Sequence, residues 1–253
     1  MEIGGTGVDL GKTLPPEIEA LQPDYSLYPG FKGNVGFSMR GCRRRCDFCV
    51  VPRKEGRPAS ASTIKDLIVQ DSDLLILLDN DFFGNPEWGA RLDEMRALDL
   101  RVNFNQGLNI RTINEEQAKA LATVRFTNTK GTAKKITFAW DSPKDERLIK
   151  RGLDRCKAAG IKPWMMQFYV LIGFHSTPEQ DLHRVHTILG WGADPFVMPF
   201  DKTQPYQKAF ARWVNGRICK TVPWPEYRYA AWKGGGMNTS LQQPKENKVN
   251  DNV

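Results

Sequence analysis

Cys42, Cys46 and Cys49 stand in the run Gly41-Cys42-Arg43-Arg44-Arg45-Cys46-Asp47-Phe48-Cys49, a C-x3-C-x2-C pattern. Thiolates so spaced can wrap around one metal centre from a single loop. Three protein ligands on an iron–sulfur cluster leave one iron open to a substrate or cofactor, whereas four favour electron transfer or structure. Zinc is the competing reading. Its sites pair C-x2-C or Cys/His groups and take a fourth ligand, and His175, His183 and His186 all lie far downstream. The chain has 5 cysteines, an odd number. That suits metal binding in a reducing compartment better than a disulfide framework.

The same loop is electropositive. Of 253 residues, 36 are Lys or Arg and 29 Asp or Glu, for a net charge of +7. Arg40, Arg43, Arg44, Arg45, Arg53, Lys54 and Arg57 crowd around the cysteines against only Asp47 and Glu55. Such a window reads either as a solvated basic face or as a surface that attracts an anionic substrate, a cofactor carboxylate or phosphate.

Elements able to position this loop follow in order. Alternating or continuous apolar runs predict strands near Val35 to Ser38, Leu74 to Asp79, Arg101 to Asn105, Ile136 to Trp140, Met165 to Ile172 and Pro195 to Phe200. Helical spacing with Asn, Ser or Thr caps predicts helices over Ser62 to Gln70, Pro86 to Leu98, Asn114 to Ala122, Asp145 to Ala159 and Pro178 to Leu189. The alternation predicts an α/β fold of parallel strands, as a barrel or an open sheet, with its active face at the loops after the strands. Residues 1–33 read as an N-terminal extension, 34–200 as the strand and helix domain, 201–233 as a C-terminal cap and 234–253 as a flexible tail. Apolar runs fall short of the roughly 20 residues of a membrane helix, and Met1 to Leu10 lacks the character of a secretory signal. A cytoplasmic protein without a membrane partner is the expectation.

With Phe48 before its last cysteine, the loop resembles the C-x3-C-x-aromatic-C hallmark of the radical S-adenosyl-L-methionine (SAM) superfamily. The likeness extends over Val35 to Phe200 and is nearest to the branch of methylthiotransferases and cobalamin-binding-domain enzymes. Leu75 to Phe82 resembles that branch's second-strand Asp-Asp-x-Phe stretch, Ile136 to Arg151 its fourth-strand Glu-Ser-Gly segment, and Ile172-Gly173-Phe174 with Glu179 its Gly-x-Pro-x-Glu-Thr loop. The resemblance implies a partial (β/α)6 barrel with a [4Fe-4S] cluster on Cys42, Cys46 and Cys49. The reduced cluster would cleave SAM to methionine and a 5′-deoxyadenosyl radical that abstracts a substrate hydrogen. Phe48 would lie beside the adenine, Asp79, Asn80 and Asp81 near the SAM amino group, and Asp141 and Ser142 at the ribose hydroxyls. A one-electron reductase such as flavodoxin or ferredoxin is the implied partner.

Other polar residues admit two readings. Asp141 and Ser142 also read as a helix cap before Asp145. Gln106, Asn109 and Arg111 can reach a ligand or serve as turn residues, and Lys150 and Arg151 can meet a carboxylate or form a solvated helix face. His175 faces substrate or solvent. Cys156 reads as a small buried residue, and Cys219 as either free or near the active face. Tyr206, Trp213, Trp224, Tyr227, Tyr229 and Trp232, interleaved with Arg212, Arg217, Lys220, Arg228 and Lys233, suit base stacking and phosphate binding or ordinary packing of a cap. A nucleobase, nucleotide or nucleic acid is the substrate these features favour. Peptide modification, or a non-catalytic Fe–S or zinc nucleic-acid-binding module, are the alternatives.

Overall fold

The computed structural model describes residues 8–19 and 21–227. In chain order the elements are α1 (Pro16–Glu19), β1 (Asn34–Gly36), β2 (Met39–Arg40), α2 (Val51–Lys54), β3 (Ala59–Ser60), α3 (Ile64–Leu67), β4 (Leu74–Leu77), α4 (Trp88–Ala97), β5 (Arg101–Phe104), α5 (Glu115–Ala122), β6 (Arg125–Phe126), β7 (Ile136–Ala139), α6 (Glu146–Ala158), β8 (Met166–Ile172), α7 (Pro178–Gly190), β9 (Asp194–Pro199) and α8 (Pro205–Asn215). The expected tail, and the aromatic and basic residues Arg228, Tyr229, Trp232 and Lys233, lie outside the described residues.

The fold is mixed α/β with parallel sheets. One sheet has the order β1-β4-β5-β6 and the other β7-β8-β9, with every pairing in both parallel. Helices α4, α5, α6 and α7 make the crossovers that parallel neighbours require. A single parallel bridge between Leu108 and Phe138 joins the sheets. The Tyr169 hydroxyl of β8 adds a second tie, donating to the Asn105 carbonyl at 3.1 Å.

Period-two alternation explains where the core lies. Leu75, Leu77, Val102, Phe104, Ile136, Phe138, Phe168, Val170, Ile172 and Val197 point to the helix side and belong to one buried cluster. In the second sheet the opposite face is more open, with Tyr169 half-buried and Phe196, Met198 and Phe200 exposed, whereas Leu74 and Ile76 keep β4 buried on both faces. Thr63, Asn114 and Thr177 each close a capping box at the start of α3, α5 and α7, as their positions predict.

Three departures from the sequence expectation have physical causes. The strand expected over Val35 to Ser38 ends at Gly36, and the chain turns into a small antiparallel pair, β2 with β3. The helix expected to reach Gln70 stops at Leu67 because the buried Asn34 amide oxygen takes the Val69 and Gln70 N–H groups, each at 2.9 Å. The third is α8, amphipathic, which packs on β9 through Phe210, Trp213 and Val214.

Two of the edge strands, β1 and β9, have their free edges met by side chains. The Tyr25 hydroxyl accepts from Val35 N at 2.8 Å and donates to Val35 O at 3.4 Å on β1. The Asn215 amide accepts from Val197 N at 2.7 Å and donates to Val197 O at 2.9 Å on β9. Residues from the N-terminal extension and from α8 thus blunt edges that would otherwise template strand pairing.

Gly152 lets α6 lie directly against the segment joining the two sheets, since a Cβ there would run into the Ile110 carbonyl. Replacing an interior helical glycine by alanine normally adds up to about 1 kcal/mol of stability. Gly152→Ala is expected instead to lower stability by about 1–3 kcal/mol through overpacking; urea unfolding measures it, and a gain would show that α6 can move away at no cost.

Candidate metal centre

The cysteine loop begins where β2 ends and returns through α2 to β3. Gly41 opens it in the left-handed region, φ +78°, with its α-carbon so close to the Arg57 carbonyl that a side chain has no room. Cys42 N donates to Gly56 O at 3.2 Å and Gly41 N to Glu55 Oε2 at 3.0 Å, which fastens the two ends of the loop together. A turn with Cys49 N on Cys46 O at 2.9 Å brings the last two cysteines round.

All three cysteines are half-buried free thiols. Arg44 N donates to Cys42 Sγ at 3.4 Å. Burial pushes the Cys42 thiol above its ordinary pKa against that hydrogen bond, and negative charge on Asp81, Cys46 and Cys49 adds to the rise. The three sulfurs therefore share one electrostatic neighbourhood. Among the described residues, no three His, Cys, Asp or Glu side chains converge as a preformed ligand cage. The donor set nevertheless fits a centre that takes thiolates. It offers three unbridged sulfurs on one anchored loop, and a cationic metal would relieve the mutual repulsion that their ionisation creates.

Asp79, Asn80 and Asp81, expected near a SAM amino group, are side by side at the end of β4 and hold this loop. Asp79 Oδ1 accepts from Ser38 N at 2.7 Å and Met39 N at 3.2 Å, and its other oxygen accepts from the Ser38 hydroxyl. Asn80 donates to Glu55 Oε2 at 3.1 Å. Asp81 takes a two-pronged Arg43 guanidinium at 2.7 and 2.8 Å and also Arg43 N at 3.0 Å. The adjacent Asn85 amide reaches toward Ser38 O at 3.5 Å. Glu55 and Arg43, which the sequence reading did not single out as site residues, are the partners. Their contacts span 25 and 38 positions in the chain, so no local pattern signals them.

Phe48 lies edge-on to Phe174, ring centres 5.5 Å apart. Phe174 stacks on His175 at 4.2 Å and meets Phe200 at 4.7 Å. Phe174 follows β8 and Phe200 follows β9, so these contacts bring the cysteine loop of the first half to the strand ends of the second. Phe48 is 37% and Phe200 52% exposed, leaving ring surface for a ligand. Gly173, φ +73°, packs against the Gln207 amide and sets this turn. His175 is exposed and holds a left-handed backbone, φ +50°.

Asp141 and Ser142 follow β7. The Ser142 hydroxyl accepts from Lys144 N at 3.3 Å, so it caps the short turn before α6. Burial raises the Asp141 carboxyl, and the cationic Arg111, Arg184 and Arg44 oppose that rise. The Asp141 carboxylate accepts no hydrogen bond from the described side chains, whereas its backbone carbonyl accepts from Arg184 at 3.1 Å. Arg184 also went unmarked in the sequence. Fully buried, it donates to Trp140 O at 2.9 Å, Leu171 O at 2.7 Å and the equally buried Asp181 at 2.6 Å. The one local sign was the Asp181 and Arg184 pair, three apart on the face that carries Val185 and Ile188.

The remaining residues resolve as follows. Arg111 is buried, pairs with Asp145 at 2.6 Å and takes Asn109 Oδ1 at 3.0 Å, while Gln106 is exposed. Lys150 pairs with Asp154 on the exposed face of α6, and Arg151 shares that face. Cys156 is buried with its thiol pushed up to about 12 by desolvation. Cys219 is half-buried against the core. Tyr206, Phe210, Trp213, Trp224 and Tyr227 pack on one another with ring centres 5.0 to 6.0 Å apart, which is the packing role weighed for this cap.

Desolvation raises Asp79 to about 6 despite its hydrogen bonds, above the roughly 3.9 of an unfolded Asp. The folded state therefore holds the proton more tightly. The associated stability is fully present below about pH 4 and is lost as pH rises to about 6, on the order of 3 kcal/mol. Asp79→Asn can keep the Ser38 and Met39 bonds without this titration, so the difference between its urea stability and that of the parent is expected to change over that interval and level off above it. A constant difference from pH 4 to 7 would show that Asp79 stays ionised throughout. Compared with known proteins, the chain matches no family model and no curated protein.

Proposed function

We propose that this chain is a radical SAM enzyme in which Cys42, Cys46 and Cys49 hold a [4Fe-4S] cluster. The observation that carries the reading is the C-x3-C-x2-C loop itself, unbridged, electropositive and fastened at the strand ends beside exposed aromatic rings. When bound, the cluster and SAM supply a 5′-deoxyadenosyl radical able to take a hydrogen atom from a substrate. In this reading β1, β4, β5, β7, β8 and β9 would supply the six strands of a partial (β/α)6 barrel, supported by the Leu108–Phe138 bridge between the two sheets, with the short β6 beside β5.

The chain's own residues have definable tasks in this reading. The three thiols lose their protons on loading and become the ligands. Arg43, locked to Asp81, keeps the segment between Cys42 and Cys46 from folding outward. Phe48 offers a ring edge and face to the adenine. Asp141 has acceptor capacity for hydroxyl or ammonium donors, and Ser142 is committed to its cap. Electrons come from a one-electron reductase such as flavodoxin or ferredoxin in the cytoplasm. The basic loop and the rings of Phe174 and Phe200 favour a nucleobase, nucleotide or nucleic-acid substrate.

Anaerobically reconstituted protein with SAM and dithionite is expected to form 5′-deoxyadenosine, and the Cys42→Ala/Cys46→Ala/Cys49→Ala variant none. Absence of product from protein carrying a full complement of iron and sulfide would overturn the enzyme reading, and zinc in place of iron would favour a binding module. Asp81→Asn should retain its iron yet form product about 10-fold more slowly, because loosening the loop misplaces the reacting centre. An unchanged rate would remove the Arg43 clamp from the argument.

A further inference from the structure

A groove of about 650 Å³ separates α5 from α6 and shares no residue with the cysteine loop. Lys119 stands on one wall; Arg147, Lys150, Arg151 and Arg155 stand on the other. The carboxylates facing them are Glu115 and Asp154, and Asp154 is engaged by Lys150 at 2.6 Å. Arg155 is half-buried and anchored by a 2.8 Å bond to Ile113 O. Lys119, Arg147 and Arg151 are exposed and make no ion pair with any described residue.

Why cations should gather in a concavity is the question. A solvated helix face distributes its charges on a convex surface and pairs them along the helix, as Lys150 and Asp154 do. Here five cations line one cleft against the two carboxylates Glu115 and Asp154, an excess that focuses positive potential. The lining's small residues, Ala158 and Ala159, stand at the C-terminal end of α6 and are too small to anchor a protein partner. Protein-binding hot spots centre on aromatic or large apolar side chains, and the lining has none. A ligand recognised by charge alone, with repeated anionic groups, fits this chemistry. Arg147 and Arg151, four apart on α6, are about 6 Å apart along its axis. They present two guanidinium forks in succession, the geometry that suits phosphate oxygens.

α5 starts four residues after Arg111 and α6 starts one residue after Asp145, and those two form an ion pair at 2.6 Å. Arg155, about three turns further along α6, is in turn bonded to Ile113 O just before α5, so the loop before α5 is tied to α6 at two points.

We propose that the groove between α5 and α6 is a binding track for the phosphate backbone of a nucleic acid. Binding needs neither metal nor SAM, so it stands apart from the radical chemistry. Its test is fluorescence anisotropy on the full chain with labelled single-stranded RNA and DNA of about 20 nucleotides, titrated over a series of salt concentrations. Lys119→Glu/Arg147→Glu/Arg151→Glu is expected to weaken binding at least 10-fold and to flatten the log K against log salt slope by about 2, near 0.7 for each lost phosphate contact. Lys65→Glu/Lys202→Glu/Lys208→Glu makes the same change in net charge at exposed sites elsewhere and should keep most of the affinity and slope. Circular dichroism checks that both variants fold. Equal loss in the two variants, or no loss in the first, overturns the proposal. So does displacement of the nucleic acid by a polyglutamate of matched charge at the same concentration as by unlabelled RNA.

Discussion

The cysteine loop can exist as an ordered structure only because carboxylates at the end of β4 neutralise it. Seven cations lie between Arg40 and Arg57, and three thiols join them, so the segment has little apolar surface to bury and strong internal repulsion. Asp79, Asn80 and Asp81 oppose this from one short stretch. Asp79 holds the turn into β2, Asn80 holds Glu55 at the loop's return, and Asp81 holds Arg43 within it. Both carboxylates are buried, so leaving either without its donors would be costly. β4 must therefore be in place, paired between β1 and β5, before the loop has a seat.

A second buried network does for the later strands what this one does for the first. Arg184 costs several kcal/mol to desolvate, offset by the four hydrogen bonds of its two terminal nitrogens, while its Nε–H has no partner among the described residues. The ends of β7 and β8 supply carbonyls and α7 supplies Asp181, while Tyr206 from α8 shares that carboxylate at 3.3 Å. One side chain thus fixes two strand ends and two helices. It also determines what remains for a ligand. On the side of β4 the carboxylates are consumed by the loop, whereas Asp141 beside β7 keeps its oxygens free among cationic neighbours.

Most elements were legible in the sequence because burial leaves a periodic trace. The six runs expected as strands form β1, β4, β5, β7, β8 and β9 in whole or part, and the helices with Asn or Thr caps begin where those caps stand. What escaped depends on a single distant partner. Nothing in Ser62 to Gln70 announces that Asn34 will capture two of its N–H groups. Nothing in Tyr25 or Asn215 reveals a strand edge far along the chain. The site was legible in the same uneven way: Cys42, Cys46, Cys49 and Phe48 announce themselves by spacing. Asp79 and Asp81 stand out as acidic residues at a strand end, yet only the fold reveals that they face the loop.

Placing buried carboxylates under a basic loop also ties its order to ionisation. Asp79 carries three hydrogen bonds, each favouring the charged form, and is still raised, because burial outweighs them. At Asp81 a guanidinium meets both oxygens directly. The two carboxyls, two residues apart, are thus held by different physics: one by neutral donors in a poorly solvated turn, the other by a formal charge. The Asp81 contact places two charge-assisted bonds on Arg43, between Cys42 and Cys46, so the cysteine loop has an anchor of its own besides the titrating turn that leads into it.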